Sequence, residues 1–102
     1  MSITLKEVRA VRIFCDEVLK SRLLEQIAHL GATGYSWWQT HGKGEHPNDT
    51  SFLSEFGRVC IEVWCDHEVA ERIVMYCHSS RFSDIGMAVG VTSLLVPADD
   101  AA

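Results

Sequence analysis

The chain has 102 residues, 47% of them apolar and 23% charged, with a net charge of −5. That length suits one domain with a small core, and the acidic balance argues against a nucleic-acid partner, whose phosphates need a basic surface. No run of about eighteen apolar residues is present to span a membrane as a helix, and MSITLKEVRAVRIF at the start lacks the apolar stretch of a signal peptide, so a cytoplasmic protein is expected.

The segment from Lys6 to Cys15 reads as a strand with apolar groups on both parities, Val11, Ile13 and Cys15 on one and Val8, Ala10 and Phe14 on the other. A strand covered on both faces lies centrally in a sheet. Asp16 is a good N-cap, because its carboxylate can accept a free amide of the first helical turn. Leu19, Leu23, Ile27 and Leu30 then recur at helical spacing, and Gly31 is a natural stop. A second strand is expected from Tyr35 to Thr40, with Trp37 and Trp38 on opposite faces. Each indole needs cover, one from a helix and one from another subunit.

From about His41 to Gly57 the chain offers Gly42, Gly44 and Pro47, then Asn48, Asp49, Thr50 and Ser51. These residues break regular structure and favour turns. A loop of this length in a small domain is uncommon and usually functional. It is expected to be mobile without a ligand, with Phe52, Leu53 and Phe56 as anchors that a partner or ligand would order. Arg58 to Cys65 reads as a third strand, Asp66 as the cap of a second helix, Arg81 to Gly86 as a turn, and Met87 to Val96 as a fourth strand ended by Pro97.

The two halves repeat one plan. Strand, Cys15-Asp16-Glu17-Val18 and helix recur as strand, Cys65-Asp66-His67-Glu68-Val69 and helix, each followed by a further strand. The expected fold is therefore α+β: a ferredoxin-like βαββαβ domain over residues 1–96, with an antiparallel sheet, two helices on one face, and a long loop, 41–57, between strands 2 and 3. Residues 97–102 form a short acidic tail. The second sheet face would leave Trp64 and one of Trp37 and Trp38 in water, so an oligomer is expected. None of the four cysteines has CxxC spacing, and each sits among apolar neighbours, so buried thiols are expected rather than zinc ligands or bridges.

The chain resembles the PII signalling proteins, most closely the PII-like proteins linked to carboxysomes and bicarbonate transport. GATGYS after the first helix, His41-Gly42-Lys43-Gly44 at the loop entrance, Arg58-Val59-Cys60-Ile61-Glu62-Val63 after the loop, and Ser80 to Gly86 where that family has its B-loop carry the resemblance, which covers nearly the whole chain. It implies a homotrimer that binds an adenine nucleotide, AMP, ADP or ATP, in clefts between subunits. It further implies a regulatory role rather than an enzymatic one, with loop 41–57 (the family's T-loop) engaging a protein partner. A membrane transporter touched from the cytoplasm, or a carboxysome, is the setting the resemblance suggests; whether bicarbonate also binds is left open. The chain departs from the family in several places. The B-loop is poorer in glycine and basic residues, and the last strand ends in Leu94-Leu95-Val96 with no arginine pair. Glu45 and His46 stand where bicarbonate-linked members have Ser-Arg, the loop has no tyrosine for uridylylation, and the tail has no cysteines.

Under that resemblance the phosphates call for backbone amides and cations. Gly42 and Gly44 would let the backbone approach, and Lys43, Arg58 and Arg81 would supply charge. Arg58, fixed as the first residue of the third strand, is the main candidate phosphate ligand. Ser36, Glu62 and Trp64 would form the purine slot, and Thr33 or Gly34 of a neighbouring chain would meet the ribose. Ser83, Asp84 and Gly86 belong to the B-loop stretch.

His41, His46, Glu45 and Asp49 share the loop and raise a metal reading, yet a glycine-rich loop does not fix three or four convergent ligands, so no metal is expected. The alternative function is a trimeric divalent-metal-binding protein of the cation-tolerance type. A small ferredoxin-like enzyme with a lid is a third reading, weakened by the absence of any nucleophile–base pair at motif spacing.

Overall fold

The computed structural model describes residues 2–42, 57–79 and 86–98. Four strands and two helices follow one another as β1 (Leu5–Asp16), α1 (Lys20–His29), β2 (Ser36–Thr40), β3 (Arg58–Cys65), α2 (His67–Cys77) and β4 (Ala88–Pro97), with a single 3-10 turn, Glu17–Leu19, ahead of α1. The sheet has the order β2-β3-β1-β4 and every pairing is antiparallel. This is the ferredoxin-like α+β plan expected from the doubled strand–helix pattern.

Both aspartates cap as expected, by different geometry. Asp66 accepts the Val69 amide at 2.9 Å and starts α2 directly. Asp16 accepts the Val18 amide at 2.9 Å, and the Lys20 amide donates to the Glu17 carbonyl, so the chain makes one 3-10 turn before α1 begins. At the other end of α1, Gly31 takes φ +114°, a region that L side chains rarely adopt. A Cβ built there would come within 3.0 Å of Val69 Cγ2, so glycine also lets α2 approach. Arg72 of α2 uses that approach to donate to the Leu30 carbonyl at 2.8 Å, satisfying one acceptor that the helix end leaves open.

Strand parity divides the protein. Val11, Ile13 and Cys15 of β1 lie opposite Val63, Ile61 and Val59 of β3. With Leu23 and Ile27 of α1 and Val69, Ala70, Ile73 and Cys77 of α2 they make the core. The other face carries Ala10, Arg12 and Phe14 of β1 against Trp64, Glu62 and Cys60 of β3, with Trp38 of β2 beside Cys60. Among the described residues of one chain no helix covers this face: Phe14 is 36% exposed, Trp38 41% and Trp64 55%. The expected central position of β1 is correct, while the cover expected on both of its faces comes from one side alone. Trp37 lies on the helix side, opposite Ile61, yet it stays 42% exposed and meets the Lys20 ammonium instead of the core: Lys20 Nζ sits 3.5 Å from its ring centroid. Such an exposed cation–π contact contributes about 0.5–1 kcal/mol.

Element ends differ from expectation by a residue or two. β2 starts at Ser36 instead of Tyr35, and β4 runs from Ala88 through Pro97 instead of stopping before the proline. Proline is tolerated there because β4 is an edge strand, so its missing amide is not needed by a neighbour. The register continues past it, with the Ala98 amide donating to the Thr4 carbonyl at 2.9 Å. The expected mobile loop, including Phe52, Leu53 and Phe56, lies outside the described residues apart from its ends, as do the turn from Arg81 to Ile85 and the last four residues of the tail.

All four cysteines are free thiols; Cys15, Cys60 and Cys77 are buried and Cys65 is half-buried. Burial pushes the Cys15 and Cys77 thiols up to about 12, which keeps both protonated and unreactive at neutral pH. Among the described residues no helix is long and apolar enough to cross a membrane.

Candidate functional site

The start of β2 and the end of β3 enclose a cleft of about 290 Å³ lined by Thr33, Gly34, Tyr35, Ser36, Glu62 and Trp64. The register makes it: Ser36 pairs with Glu62, so the GATGYS segment leading into β2 runs alongside the last residues of β3. Five of the residues singled out from the sequence, Thr33, Gly34, Ser36, Glu62 and Trp64, therefore come together within a single chain. Thr33 and Gly34 need no neighbouring subunit to reach the other three. Thr33 and Trp64 also line a second hollow of about 550 Å³, toward Lys6, Val8 and Leu94. The Trp64 side chain thus borders both spaces.

Glu62 is the charged centre of the cleft. One carboxylate oxygen takes a charge-assisted hydrogen bond from Arg12 Nε across the β1–β3 pairing. The other accepts from the Trp64 indole N–H at 3.0 Å. The Arg12 hydrogen bond is the main reason the carboxyl is held below its usual range; partial burial opposes the shift and the indole N–H assists it. The same contact raises Arg12. Glu62 is therefore an anion at neutral pH, with lone pairs left for a donor in the cleft.

Arg58 sits on the same face of β3, four residues before Glu62, which at about 3.3 Å per strand residue is about 13 Å along the sheet. It pairs with Thr40 on one side and Asp16 on the other and is only 8% exposed. Gly42 lies two residues beyond the end of β2, with φ +151°, so the loop leaves the sheet beside Arg58. Its far end returns at Gly57, whose carbonyl accepts the Glu17 amide at 3.0 Å. Gly86, φ +69° and buried, precedes β4. Lys43, Gly44, Arg81, Ser83 and Asp84 lie outside the described residues.

Two residues of this site escaped the sequence reading. Tyr35 lines the cleft, and its position between Gly34 and Ser36 in the quoted motif was the available signal. Arg12 reaches Glu62 only through a cross-strand register, for which the sequence has no local mark. Among the described residues no group of three or more His, Cys, Asp and Glu side chains could hold a metal ion.

Residues 8–96 match the family model described as nitrogen regulatory protein P-II. The chain belongs to the P-II family. P-II proteins are regulatory, not enzymes. No curated protein matches the chain. Among solved structures, a PII-like signalling protein of Thermus thermophilus is 24% identical, with a TM-score of 0.79, covering 97% of this chain and 98% of that one. CPII of Thiomonas intermedia, a nitrogen regulatory PII-like protein solved with ADP, AMP and bicarbonate, is 14% identical, with a TM-score of 0.72 over 91% and 93% of the two chains. The B. subtilis GlnK–ATP complex is 14% identical, with a TM-score of 0.58 over 86% and 82%. At these identities the likeness speaks for the P-II fold.

Proposed function

We propose that this P-II protein is a homotrimeric, cytoplasmic regulator that binds an adenine nucleotide and signals to a protein partner through loop 41–57, on the inorganic-carbon side of metabolism. The observation that carries the reading is the convergence of Thr33, Gly34, Ser36, Glu62 and Trp64 on one cleft, with Arg58 farther along the same sheet face. Tyr35 and Trp64 supply aromatic surface for a purine, a type of contact that contributes about 1–3 kcal/mol per base where the ring stacks. Ser36 and the Glu62 carboxylate supply hydrogen-bonding groups for its edge and the sugar. Arg58 supplies a bidentate cation for the phosphates. CPII, solved with ADP, AMP and bicarbonate, supports the ligand class and the carbon link. In this reading residues 1–96 act as one ligand-binding domain, whose last strand runs on into the start of the 97–102 tail, and a neighbouring subunit completes the cleft.

Calorimetric titration with AMP, ADP and ATP, each with and without bicarbonate, is expected to give saturable binding of at least one nucleotide. No heat from any of them, together with tight uptake of Cu²⁺, would favour the cation-tolerance alternative and end the nucleotide reading.

The trimer rests on the open sheet face. Phe14, Trp38 and Trp64 together expose more aromatic surface than soluble monomers usually tolerate. Light scattering should return about three times the 11.4 kDa mass of one chain. A monomer at micromolar concentration would rule the trimer out.

A further inference from the structure

Arg12 lines no part of the cleft, yet it reaches the cleft's acid from behind. Three strands meet at Glu62: Ser36 of β2 pairs with it on the cleft side and Arg12 of β1 on the other. The two carboxylate oxygens are divided between Arg12 Nε and the Trp64 indole N–H. Trp64 forms a wall of the cleft, and within its own chain, where the ring is 55% exposed, the hydrogen bond to Glu62 is what orients it. A glutamate held at one oxygen alone keeps rotamer freedom, and any group hydrogen-bonded to it shares that freedom.

We infer that Arg12 is a positioning residue for the cleft: by clamping Glu62 it fixes the Trp64 indole at the angle a flat ligand ring requires. This rests on the nucleotide reading for the identity of that ring. Arg12 does not line the cleft and works through the carboxylate. The linkage has a defined sign. Because Arg12 holds the Glu62 carboxyl below its usual range, the ionised tether is complete at neutral pH and is lost only as the pH falls through that lowered value. Among the described residues the groups facing Glu62 are Arg12 from β1, Cys60 and Trp64 from β3, the non-ionising Ser36 from β2, and Tyr35 in the cleft. Of these, Arg12 carries the opposite charge, and Cys60 is pushed up mainly by its burial.

The tether can be read without any nucleotide. In a Trp37→Phe, Trp38→Phe background Trp64 is the last of the three tryptophans. Its emission, titrated from neutral to acid pH, is expected to change as Glu62 protonates. Arg12→Gln should move that midpoint upward, Arg12→Lys should restore it in part because the charge remains without the planar fork, and Glu62→Gln should abolish it. Should the double background fail to fold, the same signal is taken as the difference between the parent and Trp64→Phe. At pH 7, Arg12→Gln should also weaken ADP binding about three- to tenfold, the scale of one lost hydrogen bond, with Arg12→Lys between. An Arg12→Gln midpoint equal to the parent's overturns the inference, as does unchanged ADP affinity in that variant. A parent that binds no ADP while the midpoint still shifts sinks the nucleotide reading and leaves the Arg12 tether standing.

Discussion

Arg58→Ala is expected to weaken ADP binding about tenfold to hundredfold, the result of removing a hydrogen-bonded charge worth about 1.5–3 kcal/mol. The size follows from where the residue sits. Arg58 is the first residue of β3, its backbone held between Thr40 of β2 and Asp16 of β1, so the sheet and not the loop fixes it. At 8% exposure its stem has already lost most of its freedom in the fold, and a phosphate meeting it does not have to order it. The guanidinium would offer two parallel donors to one phosphate, which lysine cannot match. Arg58→Lys should therefore recover only part of the loss. Adenosine should bind both variants as it binds the parent, because the base end lies about 13 Å away along the strand. Because the residue is buried, each variant needs a denaturant melt beside its titration. Equal losses for adenosine and ADP would mean that the substitution has disturbed the fold rather than a phosphate site. An Arg58→Ala protein that binds ADP as tightly as the parent would put the phosphates elsewhere.

Ile61→Ala should cost about 2–5 kcal/mol, among the largest stability effects expected of a single truncation here. Ile61 is fully buried in a central strand, opposite Ile13 of β1 and Trp37 of β2, with the helices packed over it. The loss combines the transfer energy of the deleted carbons with the cavity they leave, since two β-ladders prevent the backbone from closing in. Against a domain stability of about 5–15 kcal/mol this is a large share. It should lower Tm by about 4–8 °C per kcal/mol for a domain of this size. Ile61→Val removes one carbon and should cost about 0.5–1.5 kcal/mol. Urea melts at a fixed protein concentration test both, because association adds a concentration-dependent term. A loss below that of Ile61→Val would mean that the site repacks and that the core is less rigid than its burial implies.

The sequence by itself determined the elements and the side each residue takes. Strand parity put Val11, Ile13 and Cys15 on one face and Ala10 and Phe14 on the other; helical spacing put Leu23 and Ile27 inward; Asp16, Gly31 and Asp66 marked the helix ends. These are local rules, since a period of two or 3.6 and a cap act within a few residues. The GATGYS and Arg-Val-Cys-Ile-Glu-Val motifs, with the Trp64 that follows the second, also named five residues that share the cleft. Only the tertiary structure decided what these residues touch. The β1–β3 register alone brought Arg12 to Glu62, fifty residues away, and a shift of one position would have sent it to the opposite face. The tertiary structure also decided that Trp37 meets the Lys20 ammonium at the start of α1, while Trp38 lies on the open face; neither indole is buried in the core. Asp16 kept its capping role but opened a 3-10 turn, at the point where the Glu17 amide donates to the Gly57 carbonyl across the sheet end. In each case the deciding energy lies in contacts between distant segments, which a local pattern does not encode.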